Sequence, residues 1–426
     1  MPIKRYQAGK HPYHTYRDRH GEAINKRQFR RKYIVFFGVS MIFILGASGW
    51  LVWRFMTYTP PEPKLDIAEL RLSTQKAVAI AWPSAPTALG TEENGVIAQK
   101  DVAQSPQPSA STAKLITVLT VLQKHPLGLT EQGPLVTMND DDVERYNRYY
   151  SEGGSTITVH RGQQISQRQL IEGTLLPSAN NYADSLAVWS FGSLEKYRQA
   201  AQKYVRSLGA NRTTIGSDAS GFDPSTTSTA HDLVLIGIAA ATQPLVRTVM
   251  AKKSTELPII GKKDSTNWLL GTNGFIGGKT GNTDQAGGVF VGVAEKQITS
   301  QKKITIVTAV QGDKSVNQAM SQTDDFITTI TPLFKNEIII NKGRIVGNLQ
   351  TAWGATADIV AKNPINSVVW NGTTKKLRLD ARLKNVPLSA HSKVGTLTYD
   401  TTTIQLITSR QLDPPPLDWK LTHFLR

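Results

Sequence analysis

Cysteine is absent from the 426 residues. That excludes a disulfide framework, a thiolate nucleophile and any cysteine-held metal. An exported protein without cysteine needs no oxidative folding machinery, which fits a bacterial envelope. Histidine numbers eight, with no His-x-x-x-His or other clustered ligand spacing, so neither a metal nor another cofactor is expected. Acidic side chains are few, 33 against 49 Lys and Arg, giving a net charge of +16. That excess resembles a nucleic-acid signal until it is located. Residues 1–32 carry ten basic and two acidic side chains, hence half of the net charge. The remainder is a mildly basic protein suited to work beside an anionic polymer, and no nucleic-acid partner is expected. With 39% hydrophobic and 19% charged residues the chain is globular in composition and long enough for two or three domains.

One long uncharged run is present. Tyr33 to Trp53 is rich in Ile, Val, Phe, Leu and Met. At about 20 residues it is long enough to span a bilayer as a helix. Arg30-Arg31-Lys32 abut one end, and Trp50, Trp53 and Tyr58 gather at the other. The positive-inside rule then makes 1–32 a basic cytoplasmic tail, 33–56 a single-pass transmembrane helix, and everything after it extracytoplasmic. The run exceeds the usual length of a signal-peptide core, so a retained anchor is preferred to a cleaved leader.

Residues 57–70 read as a Pro-rich, extended linker. A strand is expected at Lys76–Trp82, turn residues at Pro83–Gly90, and a partner strand at Glu92–Ala98. Asn139-Asp140-Asp141-Asp142 tempts a metal reading, but it suits the charged first turn of a helix better. Ser166-Gln167-Arg168-Gln169 has the form of a capping box, and the helix it opens ends at Pro177. Gly288–Ala294 and Ile304–Val310 read as antiparallel neighbours, and helix signal returns over 319–334. From 335 to 411 short alternating strands, most plainly Leu377 to Leu383, suggest a small β-sandwich. Residues 412–426, with three consecutive prolines, read as a loosely held tail.

Chemistry concentrates at Pro108-Ser109-Ala110-Ser111-Thr112-Ala113-Lys114-Leu115. Ser111 and Lys114 lie three apart at the start of an apolar helix, so the amine can reach the hydroxyl. A serine needs a base to become a nucleophile, and a buried lysine loses enough basicity to serve. The pattern alone is weak: Ser73–Lys76 and Ser193–Lys196 share it, and a solvated helix start is its ordinary meaning. Two further motifs follow in order. Ser178-Ala179-Asn180 comes directly after a helix, and Lys279-Thr280-Gly281-Asn282 leads into a strand. Ser-x-Asn recurs at Ser265–Asn267 and Ser315–Asn317, whereas Lys-Thr-Gly occurs once.

All three in this order, each in its fitting context, resemble the penicillin-recognising serine enzymes. The flanking residues, with Ser220-Gly221-Phe222 and Ser228-Thr229-Ala230-His231-Asp232, resemble the serine D-alanyl-D-alanine carboxypeptidases, the low-molecular-mass penicillin-binding proteins. The resemblance covers about residues 70–334 and, more faintly, the β-rich domain behind them. It implies an α+β fold: an antiparallel sheet flanked by helices, β-lactamase/transpeptidase-like, over 71–334, with a C-terminal β-sandwich.

It also implies the roles. Ser111 would attack the carbonyl between two terminal D-alanines of a peptidoglycan stem peptide. Lys114 would take its proton, Ser178 would relay a proton to the leaving amine, and Asn180 would orient Lys114 and the substrate amide. Lys279 and Thr280 would meet the substrate carboxylate, Gly281 would let backbone approach, and the N–H groups of Ser111 and Asn282 would bind the oxyanion. β-Lactams would acylate the same serine as inhibitors.

The chain departs from the family pattern in three places. Ala179 and Asn181 replace the usual Gly and Asp. No arginine follows Gly312 where the family holds the terminal carboxylate; Lys314 is the nearest cation, and a lysine lacks the bidentate fork. That leaves endopeptidase action on cross-links open. The anchor is N-terminal rather than a C-terminal amphipathic helix. Two alternatives stand beside the peptidase: a β-lactamase, which would need a glutamate between the second and third motifs and for which Glu195 is the only candidate of that type before Asp218, and a non-catalytic wall-binding protein on the same fold.

Overall fold

A computed structural model of the chain describes residues 26–67, 76–101, 104–257, 259–373, 376–381 and 386–425. Most of the basic tail, Ser73 of one serine–lysine pair, and positions 382 and 383 of an expected strand lie outside these residues. The chain forms two compact units. One comprises Leu72–Ile339 with Asn366–Lys375; the other comprises Met1–Arg71, Ile340–Ile365 and Lys376–Arg426. The chain thus crosses back over the expected boundary at 335.

The first unit is built on a five-stranded antiparallel sheet. Its order is Phe275–Thr283, Gly287–Thr299, Lys302–Asp313, Thr87–Thr91, Gly95–Gln99. The central run Gly288–Ala294 is apolar at nearly every position because both faces are covered. Val289, Val291 and Val293 join the larger core; Phe290 and Ala294 join the smaller. That alternation is the strand's two-residue period. Helix Val316–Ile330 covers the smaller core through Ala319, Met320, Phe326 and Ile327. Helix Ala230–Thr242 covers the other face, close enough that a Cβ at Gly237 would stand 2.7 Å from Val291 and Val307. Beyond it lie the helices that carry the motifs. This helix–sheet–helix layering is the expected α+β architecture.

Some expectations yield. Lys76–Trp82 is not a strand. Its backbone is met instead by one side chain: Asn371 accepts from the Val78 N–H and donates to the Val78 carbonyl, both at 2.8 Å. Ile80 and Trp82 are drawn onto the smaller core, Trp82 with its ring 5.1 Å from that of Phe326. The supposed turn instead contains strand Thr87–Thr91, whose threonines and glycine sit wholly buried in the sheet. Asn139 caps helix Asp140–Ser151 with Asp142 completing a capping box, and Ser166 and Gln169 do the same for Gln167–Leu175.

The second unit contains a six-stranded antiparallel sheet with Lys64–Ile67, Ile345–Gln350, Thr356–Ala361, Thr402–Thr408, Lys393–Tyr399 and Leu377–Ala381 in that order. The Pro-rich linker is therefore not free along its length. Leu65 pairs with Leu349 and Ile67 with Gly347, so the strand ties the linker to the sheet. Nor is the tail loose. Pro416 opens helix Leu417–His423, whose Trp419 ring lies 5.5 Å from that of Trp353 and 6.4 Å from that of Tyr58. Phe424 packs edge-on against Phe55 at 5.4 Å. Ring-to-ring contacts between partly buried aromatics, which a search for an amphipathic repeat does not register, hold the segment. The helix Lys26–Met56 contains the one candidate span among the described residues, Arg30–Met56, with none of its most apolar window buried.

Candidate active site

The helix that begins beside Ser111 is entered through a tight turn. Ala110–Thr112 form one turn of 3-10 helix, and Ala113–Lys124 continue as α-helix. Ala110 holds φ at 45°, a left-handed conformation costing about 1–2 kcal/mol for a non-glycine residue. Ser109 stands at the N-cap, but its side chain makes no cap bond. Its hydroxyl donates to the Thr226 carbonyl at 3.2 Å instead, fixing the turn to a neighbouring segment.

Ser111 Oγ stands 2.7 Å from Lys114 Nζ. Lys114 is fully buried, and its other two polar contacts are carbonyl oxygens: Asn180 Oδ1 at 2.7 Å and the Ser220 main chain at 3.1 Å. An amine nitrogen has four tetrahedral positions, one of them the carbon stem. Two N–H bonds are committed to acceptors, so the remaining position faces Ser111. Protonated, it donates to the hydroxyl; neutral, its lone pair accepts the hydroxyl proton. Burial pushes the Lys114 pKa down to about 7, against the opposing charges of Asp218 and Asp184. Both forms are thus populated near neutrality, which suits a general base.

Asn180 is held on both sides. It begins helix Asn180–Phe191, its N–H donates to the Ser155 carbonyl at 2.8 Å, and its amide nitrogen faces Gly154, where a Cβ would come within 2.6 Å. Asn181, the departure from the usual aspartate, bonds both N–H and C=O of Ile157 at 3.1 and 2.8 Å. It fixes the same segment from the adjacent position.

The third motif lies on the edge strand Phe275–Thr283. Lys279 is buried and donates to Ser178 Oγ at 2.9 Å and to the Thr280 carbonyl at 3.0 Å. Burial, and then the nearby Lys114, hold its pKa well below the ordinary lysine value. Ser178 has φ at 65°, a second left-handed non-glycine residue in the motifs. The Thr280 hydroxyl shares a hydrogen bond with Thr266, so the extra Ser-x-Asn at 265–267 borders the site without being its motif. A Cβ on Gly281 would lie 3.2 Å from Ser111 N and 3.0 Å from the Ala110 side chain, so the strand and the Ser111 turn are in close apposition. Asn282 is exposed and opens onto a cleft of about 790 Å³ whose lining includes Tyr149, Glu152, Phe222, Asp223 and Asp284.

Ser111, Lys114 and Asn180 therefore form one bonded group, and Ser178 with Lys279 a second. Lys314 is exposed, while Asp313 beside it is buried and accepts from the Lys314 N–H at 2.7 Å. Motif reading missed the Ser220 carbonyl, since a main-chain acceptor leaves no residue-type signature. It also missed Tyr149, Asp184 and Asp218, which sit behind Lys114.

A serine hydroxyl bonded to a buried lysine amine, set beside the edge strand of a helix-covered antiparallel sheet, is the arrangement of the serine–lysine acyl-transfer enzymes. The chain belongs to the D-alanyl-D-alanine carboxypeptidase family, whose sequence model matches residues 81–314. It is 26% identical over 316 residues to D-alanyl-D-alanine carboxypeptidase DacA of Escherichia coli (strain K12), covering 70% of this chain and 74% of that protein. It is 32% identical over 197 residues to DacB2 of Mycobacterium tuberculosis, covering 44% and 62%. In fold it is similar to a peptidoglycan synthesis regulatory factor (PBP3) from Streptococcus pneumoniae. The TM-score is 0.59 at 21% identity over 79% of this chain and all of that one. Penicillin binding protein 5 of Haemophilus influenzae gives 0.56 at 19% identity over the same shares.

Proposed function

We propose that Ser111 is the nucleophile of a serine-type D-alanyl-D-alanine carboxypeptidase acting on peptidoglycan stem peptides. The observation that carries this reading is the Lys114 amine, whose two carbonyl partners leave it facing Ser111. Lys114 takes the hydroxyl proton as Oγ attacks the carbonyl between the terminal D-alanines. The N–H groups of Ser111 and Asn282 bind the oxyanion, each donor worth about 3–4 kcal/mol in such sites. Ser178, bonded to Lys279, relays a proton to the amine of the departing D-alanine. Thr280 meets the terminal carboxylate, and water then frees the acyl-enzyme. A β-lactam acylates the same serine. Glu195 pairs with Arg198 at 2.8 Å with both side chains about half exposed, which does not favour the β-lactamase reading. The apolar helix anchors the chain in the cell membrane, single-pass, with the catalytic unit extracytoplasmic, as its flanking arginines suggest.

Release of D-alanine from a stem pentapeptide by the full-length chain in detergent tests the reading. Wild type should release it and Ser111→Ala should not. Release by both, or by neither, contradicts the assignment. A cross-linked dimer offered in parallel reads endopeptidase action. Protease shaving of right-side-out membrane vesicles tests the topology: the catalytic unit should be cut on the outer face, and protection there would contradict it.

A further inference from the structure

Behind Lys114 lies a buried polar group that the proposed reaction does not use. Asp184 follows Asn180 by four residues and so occupies the same face of the helix Asn180–Phe191. It is fully buried. Its Oδ2 accepts from the Tyr149 hydroxyl at 2.7 Å and from Arg148 at 3.2 Å; its Oδ1 accepts from the Ala219 N–H at 2.9 Å. Asp218, also buried, accepts from the N–H groups of Gly221 at 2.7 Å, Asp223 at 2.9 Å and Ser220 at 3.2 Å. The Tyr149 hydroxyl stands 3.4 Å from Asp218 as well. Two carboxylates thus clamp the backbone at 218–223, and the carbonyl in the middle of that clamp, Ser220, is the one bonded to Lys114.

The clamp also fixes the nucleophile turn. Gly221 holds φ at 71°, and a Cβ there would lie 2.1 Å from the Ala110 carbonyl oxygen. Thr117, on the nucleophile helix, donates to the Ala219 carbonyl at 2.5 Å. Movement of this loop would displace the acceptor of Lys114 and the residue before Ser111 together.

Charge runs the same way. Asp184 and Asp218 face one another, with Arg148 half exposed as the cation on the outer side and Lys114 on the inner. Glu152 acts on Arg148 from outside, the Tyr197 hydroxyl approaches through Thr117, and Asp142 is taken up by Arg145 and Ser185. Burial and Asp218 push the Asp184 carboxyl up to about 6. Above that pH two buried carboxylates stand against one permanent guanidinium, a negative balance that protonation of Lys114 offsets, while buried Lys279 near Lys114 is held well below the usual lysine range. Burial favours the neutral amine and the carboxylates favour the charged one.

We propose that Asp184 is a positioning residue for Lys114: through Tyr149 and the Ala219–Gly221 backbone it holds the Ser220 carbonyl on the amine, and it keeps a negative charge beneath it. The inference rests on Ser111 and Lys114 being nucleophile and base. In Asp184→Asn the charge is lost while an amide oxygen can still accept from Ala219. Lys114 then loses its proton more readily. The acid limb of the acylation rate by a penicillin, measured from pH 5 to 9 on the full-length chain in detergent, should move down by about 0.5–1 pH unit. Tyr149→Phe removes the hydroxyl that favours the charged carboxylate, and should move the limb in the same direction by less.

Wild type is measured first. Acylation at Ser111 establishes the reaction, and its absence removes the inference along with the reading beneath it. Given acylation, an acid limb that stays in place or moves upward in folded Asp184→Asn overturns the positioning role and leaves the reaction standing. If that variant does not fold, the Tyr149→Phe limb decides by the same criterion. A purely structural role would lower the rate at every pH without moving the limb.

Discussion

Ser111–Lys114 and Ser193–Lys196 carry the same spacing in the same unit, and each opens a helix. At Ser193 the serine is the N-cap of helix Leu194–Ser207, with its hydroxyl turned back to accept from the Lys196 N–H at 3.2 Å. Lys196 is exposed. At Ser111 the serine lies inside the first turn, a 3-10 turn with one left-handed residue before it, and its hydroxyl turns toward the buried lysine. The spacing provides reach in both places. What differs is where the hydroxyl is spent and whether the amine is dry. A backbone N–H takes the Ser193 hydroxyl; at Ser111 the carbonyl contacts of a desolvated amine leave it turned toward the hydroxyl.

The comparison can be broken in four ways, from the greatest effect to the least. Ser111→Ala should abolish acylation by a penicillin, and Ser193→Ala should leave it unchanged, as intact mass reads. Lys114→Met, which keeps the length and bulk of the stem, should slow acylation by about 10²–10⁴-fold, the usual contribution of a general base. Lys196→Met should leave the rate alone in the same stopped-flow assay. The rate should rise with pH through a midpoint near 7, because the amine acts only when neutral and burial has lowered its pKa to about 7. Below that midpoint it should fall about tenfold per pH unit, and a limb near the ordinary lysine value would mean the amine is solvated like Lys196. Ser193→Ala should cost about 1 kcal/mol through the lost cap, read as a lowered thermal midpoint with acylation intact.

Much of this site was legible because its side chains fall into three short motifs, each adjoining a local start or stop signal. Ser111 and Lys114 needed only helical geometry to be joined. The strand beside the edge, Gly287–Thr299, was legible from its apolar run, and the layered fold from the family resemblance, whereas Lys279 was read only as leading into a strand and lies on the edge strand itself. The rest depended on distance in sequence. Asp184 and Asp218 look like ordinary acidic residues until Tyr149 and Lys114 are brought beside them. The Ser220 carbonyl carries no signature at all. The failures in the fold have the same cause. Lys76–Trp82 has the composition of a strand, but its nearest partner is the side chain of Asn371, nearly three hundred residues on. Trp419 and Phe424 have no apolar period of their own, and their partners lie at Phe55, Tyr58 and Trp353.

The central claim is that burial and two carbonyl acceptors, rather than the three-residue spacing, make a nucleophile of Ser111. Intact-mass analysis with peptide mapping, after incubating the full-length chain in detergent with a penicillin, tests it most directly. The account predicts one lasting adduct, mapped to the peptide containing Ser111 and missing from Ser111→Ala. An adduct on the peptide containing Ser193, or no adduct on the folded wild-type chain, would contradict it.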